Sequence, residues 1–584
     1  MLGKRTPQAN FFDSDQQYLH FVGGDTFYGY LAHHRHELFR DEDFASLYCL
    51  DNGRTSVPPS ILACALILQW YDNVSDEEAA ERAKFDVRWK VALGVDLLKA
   101  PFAKSVLCEF RNKLIIHKEA RKLFEMSLRH ARARGYCKSH KITLALDTTP
   151  IFGKGAVQDT YNMLAEGLRQ VLRVLAQLEN KTMEDFASEH DFRRYTAPSF
   201  KGTLEIDWDN EAERQAVLES LVADCERMLL EARGALSYYS DSSQEAHRIV
   251  EATELLSKLL VQDVKRTAPG TAELVDGVAA ERIVSVHDPQ MRHGRKSVTQ
   301  RFNGYKGSLA VDIESQLITA VDVIAASAQD SHNTDVLIKQ TEQATKATVD
   351  TVIGDGAYGT IETRLDAQET SHRLIAPVAQ PPRTGRFSKN DFVISSDHST
   401  ITCPAGHTTT RWFSGTQRTK RGGAFALKKF TFSQRYCGSC PLRHKCLSPR
   451  TPFRTVTVHE HEAMLQQAKE FQRTELFRQL YRKRVVVEHR IARLVQLGLR
   501  KARYFGSAKV LFQLAMTAAV ANLTLTAASP LFFALLLLLS VLLTTDLISN
   551  SSKYQYDRIS CIHRLRWFIT MLTPEKSGGL RPSF

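Results

Sequence analysis

The chain lacks the apolar core that a signal peptide needs: its first residues, MLGKRTPQANFFDSD, contain no continuous apolar run. Nor do its ten cysteines suggest a disulfide framework. Six stand singly (Cys49, Cys64, Cys108, Cys137, Cys225 and Cys561), and only Cys403, Cys437, Cys440 and Cys446 share one region. A reducing cytoplasm is the expected compartment. Acid is short relative to base, 65 Asp and Glu against 77 Lys and Arg, for a net charge of +12. That imbalance favours a polyanionic partner, nucleic acid before a membrane surface, and no pattern points to a small-molecule substrate. Internal repeats are absent. Long apolar runs are absent too, apart from LFFALLLLLSVLL at 531–543. This run is shorter than the roughly 17–25 residues of a spanning helix, so a membrane anchor is not expected.

What is present divides the 584 residues into several domains. Residues 1–135 read as helical. SVPPSILACALILQWYDN carries apolar residues at Ile61, Ala65, Leu68 and Trp70 behind Pro58 and Pro59, which suit a first turn. Ser75 and Glu78 form a candidate capping box, and further helices are expected over Val87–Leu93 and Ser105–Leu114. Such a region suits either a helix-turn-helix DNA reader or a packing and dimerisation bundle. The period then changes: KITLALD has strand alternation and ends on Asp147. Helical periodicity returns over 161–282. ERIVSVHD, YKGSLAVDI and LITAVDVIAA read as strands, followed by a helix from Thr334 to Ala347 and the strand VDTVIGD. The order fits a mixed α/β domain made of 140–160, 283–375 and 460–525, interrupted by a helical insert at 161–282. Residues 376–459 form a second, cysteine-containing insert, and 526–584 an apolar and basic tail with no assigned role.

Two acids sit beside apolar strands. Asp147 is followed by Thr148 and Thr149, and Asp355 lies in VIGDGAYG between Gly354 and Gly356. Taken alone, each is better explained as a structural turn residue that caps its own backbone. A third acid, Glu488, lies in YRKRVVVEHRIARLV, where Tyr481, Arg484 and Glu488 share one helical face within a basic stretch. Three acids from distant segments suit magnesium, which takes few carboxylates and fills its remaining positions with water and phosphate oxygens. Two such ions about 3.5–4 Å apart support in-line displacement at phosphorus. Asp147, Asp355 and Glu488 are therefore the candidate catalytic and metal-binding residues, with Mg²⁺ or Mn²⁺ as cofactor. Candidate DNA contacts are Tyr481, Arg482, Lys483, Arg484, Arg490, Arg493, Arg500, Lys501, Arg503, Arg295, Lys296 and Lys306.

Taken together, LALDTTPIFGKGAVQDT, HDPQMRHGRKSVTQRFNGYKGSLAVD, VIGDGAYG and VEHRIARLVQLGLRKARYFG resemble the DDE transposases of bacterial insertion sequences. The likeness is to the IS-eleven-eighty-two-like branch. The stretch from SVPPSILACALILQWYDN to VALGV resembles that group's N-terminal transposase domain. The resemblance implies an RNase H-like catalytic core with acids at Asp147, Asp355 and Glu488. It also implies a Tyr–Arg–Glu helix pattern, matched by Tyr481, Arg484 and Glu488. Where the pattern places a further basic residue the chain has Val495, with Arg493 or Arg500 as substitutes. The implied activity is cleavage at the terminal inverted repeats of an insertion sequence, followed by joining of the 3′-hydroxyl ends to target DNA. Double-stranded DNA is the implied partner, with at least a dimer because two ends are handled together, and the nucleoid is the implied location when bound. The alternative is a catalytically inactive DNA-binding derivative of such an enzyme.

Cys437-Gly-Ser-Cys440, with Cys446 downstream and Cys403 upstream, suits a tetrahedral structural Zn²⁺. The competing reading is four reduced, unligated thiols. His287-Asp288 reads as a turn, because three metal-binding acids leave no task for a separate general base.

Overall fold

In the computed structural model, residues 1–5, 14–49, 53–268, 271–277, 279, 281–296, 299–379, 385–418 and 423–548 are described. The chain divides into two compact units, Met1–Thr524 and Leu525–Phe584. The first is a mixed α/β assembly with a helical N-terminal region.

That region contains α1 (Phe27–Leu38), α2 (Pro59–Asp72), a helix over Asp76–Phe85, one over Val87–Leu93, one over Lys104–Ile116 and α3 (Lys122–Ala133). The side chain of Thr26 caps α1 by accepting from the Gly29 N–H. Pro58 and Pro59 open α2, where a missing N–H costs nothing. Ser75 caps the next helix as expected, accepting from the Glu78 N–H at 3.1 Å. Glu78 does not complete the reciprocal half of a capping box. Its carboxylate pairs instead with Arg82, one turn on, at 2.7 Å.

A six-stranded sheet anchors the unit. Its strands are β1 (Lys141–Phe152), β2 (Arg292–Arg295), β3 (Arg301–Asp312), β4 (Ile318–Ala325), β5 (Thr348–Ile353) and β6 (Arg373–Ile375). β1 is central: it pairs antiparallel with β3 on one side and parallel with β5 on the other, and β6 follows parallel to β5. β2 and β4 both pair antiparallel with β3, along its beginning and its remainder. Between β1 and β2 the chain builds a separate hydrophobic core from helices Thr160–Leu178, Glu211–Leu236 and Gln244–Asp263.

The two-residue period of β1 sorts its side chains. Ile142, Leu144 and Leu146 pack with Leu337 and Ile338 of α4 (Thr334–Thr345) on one face. The other face carries Ile151, which with Leu514 closes around Gly307. Leu514 belongs to α7 (Ser507–Ile548), and Asn522 of the same helix brackets the Ile318 backbone of β4, accepting from its N–H and donating to its carbonyl. The segment Ser507–Ala528 is the one described helix long and apolar enough to cross a membrane, and 78% of its apolar 18-residue window is buried inside the protein. Here the apolar composition serves packing against the sheet. Of the tail, α7 runs through 531–543 to Ile548, while 549–584 and the side chains from 529 lie outside the described residues.

Two sequence expectations change. ERIVSVHD forms no strand: Val284, Ser285, Val286 and Asp288 are buried in an irregular segment. Asp288 accepts from the Tyr305 hydroxyl at 2.5 Å and from the Gly506 N–H at 3.2 Å. β1, moreover, does not stop at Asp147 but continues to Phe152, because β3 keeps pairing with it from Asp147↔Leu309 to Phe152↔Gly304. Pro150 is tolerated there because β5 has already ended and no neighbour on that side needs its N–H.

Candidate active site

The parallel register between β1 and β5 fixes the level of the two aspartates. Ala145 lies opposite Ile353, the last residue of β5. Asp147 and Asp355 each stand two residues beyond this pair, near enough that the charge of Asp355 acts on Asp147. Adjacent strands are separated by about 4.8 Å. β1 continues past this level while β5 does not, which leaves a notch at the C-terminal ends of parallel strands, where ligands approach open α/β sheets.

Asp355 begins a turn. Its Oδ1 accepts from the Ala357 N–H at 2.9 Å, and its carbonyl accepts from the Tyr358 N–H. Gly354 is required, since a Cβ there would stand 2.5 Å from the Tyr358 ring, whereas Gly356 faces open space. Asp147 Oδ1 accepts from the Thr148 N–H at 2.8 Å. Burial pushes the Asp147 carboxyl up to about 6; Arg484 opposes that rise and Asp355 adds to it.

Glu488 arrives from the opposite layer. α5 (Glu475–Arg482) and α6 (Val485–Gln496) are not one helix, as the spacing alone suggests. Lys483 and Arg484 form a tighter joint in which successive N–H groups, from Lys483 to Val487 with Val485 excepted, bond three residues back. The shared face survives because both joint residues keep right-handed helical angles. Arg484 Nη1 donates to Asp147 Oδ2 at 2.8 Å, and Nη2 donates to Glu488 Oε1. The guanidinium lies 5.9 Å from the centre of the Tyr481 ring, which stacks on Phe477. Phe477 packs with Ile353 and Ile375, so α5 sits on the sheet face that carries the aspartates. Among the described residues, ligand atoms converge within 4.8 Å only in His34–Glu37–His130 and Glu179–Glu189–His190. The three acids stand wider than that, with Arg484 between two of them.

Tyr358 belongs to this site and was missed from sequence. It is fully buried, its hydroxyl has no hydrogen-bond partner among the described residues, and its phenol is held well above its usual range by burial and by Asp147, Asp330 and Asp355. The signal was an aromatic residue flanked by Gly354 and Gly359, at both of which a Cβ would clash with its surroundings.

The expected DNA-contacting residues separate by exposure. Arg482, Lys483, Lys501, Arg295 and Lys296 are exposed, and Tyr481 and Arg493 are half-buried. Arg490 is turned inward, 8% exposed, with Nη2 donating to the Ala521 carbonyl at 2.7 Å and its guanidinium lowered to about 10 by burial. In this position Arg490 docks α6 on α7 and does not face solvent. Lys306 is likewise committed, its ammonium held by Asp330 at 2.8 Å and the Ala328 carbonyl at 2.7 Å. Arg500 donates to the Pro150 carbonyl at 3.0 Å, while the backbone of 500–502 pairs with Phe152. Arg503 lies over the Trp70 ring at 4.0 Å and bonds to Asn73, joining the helical region to the segment after α6.

In the region 376–459, Phe392, Ile401, Phe430, Phe432, Val456 and Val458 form a small core, with Cys403, Cys437 and Cys446 against it. All four cysteines line one cavity of about 30 Å³. Cys403 sits in a turn closed by its N–H to the His407 carbonyl and by the Gly406 N–H to its own carbonyl. Burial, with the other three thiols nearby, raises the Cys446 thiol.

Residues 402–526 match the family described as Transposase DDE domain, and residues 24–113 match that described as Transposase domain (DUF772). No curated protein matches the chain. The first match contains Glu488, Arg484 and the four cysteines; Asp147 and Asp355 lie outside both.

Proposed function

We propose that this chain is a transposase of the DDE class, which cleaves DNA at the terminal inverted repeats of its element and joins the freed 3′ ends to target DNA. The observation that carries this reading is the meeting of Asp147, Asp355 and the Arg484–Glu488 pair at the notch where β5 ends. The sheet order β4–β3–β1–β5–β6, antiparallel through β1 and parallel beyond it, supports an RNase H-like core. The acids fit divalent metal: all are hard oxygen donors, Asp355 Oδ2 has no partner among the described residues, and a guanidinium already occupies a cation's place between Asp147 and Glu488. When bound, Mg²⁺ or Mn²⁺ would neutralise phosphate charge and lower the proton affinity of the attacking oxygen.

The chain's own residues then have separable tasks. Asp147 and Asp355 present oxygens from a rigid sheet, and Glu488 presents one from α6. Arg484 orients Asp147 and Glu488 and offers its charge to the scissile phosphate. Exposed Arg482, Lys483 and Lys501 hold flanking phosphates. In the first step a water oxygen bonds to phosphorus, the P–O3′ bond breaks, and the leaving oxygen gains a proton as a 3′-hydroxyl. In the second, that hydroxyl loses its proton and bonds to a target phosphorus, whose own P–O3′ bond breaks. At least two chains act together on paired ends, and the four cysteines hold a structural Zn²⁺ that stiffens the 376–459 region. The test is Mg²⁺-dependent cleavage and joining on the element's end sequences. Asp147→Asn, Asp355→Asn and Glu488→Gln should each abolish cleavage with DNA binding retained; strand transfer by Asp355→Asn overturns the reading.

A further inference from the structure

A second group of metal-ligating side chains lies in the helical N-terminal region, away from the acids and the cysteines. α1 presents His34 and Glu37 one turn apart, and α3 presents His130 toward them. His34 Nδ1 stands 3.3 Å from Glu37 Oε2, and His130 Nδ1 stands 3.8 Å from the same oxygen. All three ligand atoms lie within 4.8 Å of one another. With metal–nitrogen bonds of about 2.0–2.1 Å, a tetrahedral ion spaces its ligands by roughly 3.3–3.5 Å. The His34–Glu37 distance, which is also within hydrogen-bond reach, falls in this range, while the 3.8 Å from His130 to Glu37 is too long for a direct hydrogen bond.

The surroundings suit a ligand set. The outer nitrogen of His130, Nε2, lies 2.7 Å from the Tyr30 hydroxyl, the kind of partner that fixes the tautomer of a ligating imidazole. The His130 side chain is 2% exposed and that of Glu37 is 63% exposed, so the group is anchored on one side and open to solvent on the other. Arg134, an exposed residue 3.2 Å from His34 Nε2, is directed at the group and must turn outward on binding.

We propose that His34, Glu37 and His130 bind one transition-metal dication of the zinc class, with solvent in the fourth position, pinning α1 to the helix that leads into β1. Two imidazoles and one carboxylate favour such an ion over magnesium, which prefers an all-oxygen shell. The full-length protein, stripped with a chelator, is titrated with Co²⁺. Nitrogen and oxygen donors give ligand-field bands without the intense near-ultraviolet thiolate absorption of the cysteine cluster, so the two sites are read separately. Glu37→Gln, a change at an exposed carboxylate, and His34→Asn should each weaken the thiolate-free Co²⁺ signal at least about tenfold. Arg134→Gln should strengthen it several-fold, and Cys437→Ser should leave it unchanged. Thiolate-type absorption alone in the wild type, or an unchanged isotherm in Glu37→Gln and His34→Asn with native circular dichroism, overturns the proposal.

Discussion

Arg484 Nη1 donates to Asp147 Oδ2 at 2.8 Å while Nη2 of the same guanidinium bonds to Glu488. One planar cation from the joint between α5 and α6 thus links a sheet carboxylate to a helix carboxylate. Lysine cannot reproduce this, because a single ammonium lacks the two-pronged donor geometry. Removing the arginine leaves Asp147, whose side chain is 18% exposed, without its main counter-charge. Arg484→Ala should therefore lose about 1–3 kcal/mol of stability at pH 8 in chelator, with the lower end favoured by partial exposure. The loss should shrink toward pH 5, as Asp147 takes up a proton and no longer needs the charge. Urea midpoints at the two pH values check this, and an equal loss at both removes Asp147 from the explanation.

Asp147 has a linkage of its own. Its folded pKa is raised to about 6 from an ordinary value of 3.8. The protonated form is the one the fold prefers, so the favourable contribution is complete below about 4 and is lost as pH rises through about 6. Two pKa units correspond to about 3 kcal/mol, an upper bound here because asparagine also gives up the charged bond to Arg484. Metal-free Asp147→Asn should accordingly be more stable than wild type by about 1–3 kcal/mol at pH 8 and little different at pH 4. A variant less stable than wild type at pH 8 would show that the ion pair outweighs the burial.

The placement of the acids is legible in the sequence to different depths. Alternation in KITLALD is enough to put Asp147 opposite Leu144 and Leu146, and the glycines around Asp355 mark a turn. What alternation cannot reveal is where a strand stops, because that depends on its neighbours: β3 carries β1 on to Phe152 after β5 has ended. ERIVSVHD has the pattern of a strand, yet Asp288 is spent on Tyr305 and Gly506, both distant in sequence. Arg490 shows the same limit on a helix. Its charge reads as surface, but only the α6–α7 packing reveals that Ala521 receives it.

The 376–459 region should depend on its thiols. Its core is six buried side chains, little for a segment of many short strands. If the cysteines hold Zn²⁺, thiol modification should release about one zinc equivalent from the purified chain. Cys437→Ser or Cys446→Ser should make residues 385–460 the first site of limited proteolysis, while the six-stranded sheet remains protected against hydrogen exchange. Unchanged proteolysis after complete metal removal would assign the fold of this region to its apolar core alone.

The basic residues divide into two classes that one measurement separates. Each phosphate contact contributes about 0.9 to the slope of log affinity against log salt. Lys483→Ala and Lys501→Ala, at exposed positions, should each weaken binding to end DNA at moderate salt and reduce that slope by about one, with thermal stability within about 0.5 kcal/mol of wild type. Arg490→Met and Arg503→Ala should behave oppositely. Arg490 is bonded to Ala521, and Arg503 covers Trp70 and reaches Asn73, so their loss should leave the salt slope intact and cost about 1–3 kcal/mol of stability. For Arg503 the lost stability should appear as separate unfolding of the helical N-terminal region, because that side chain joins α2 to the segment after α6. A reduced salt slope in Arg503→Ala with unaltered melting would return this arginine to the DNA surface.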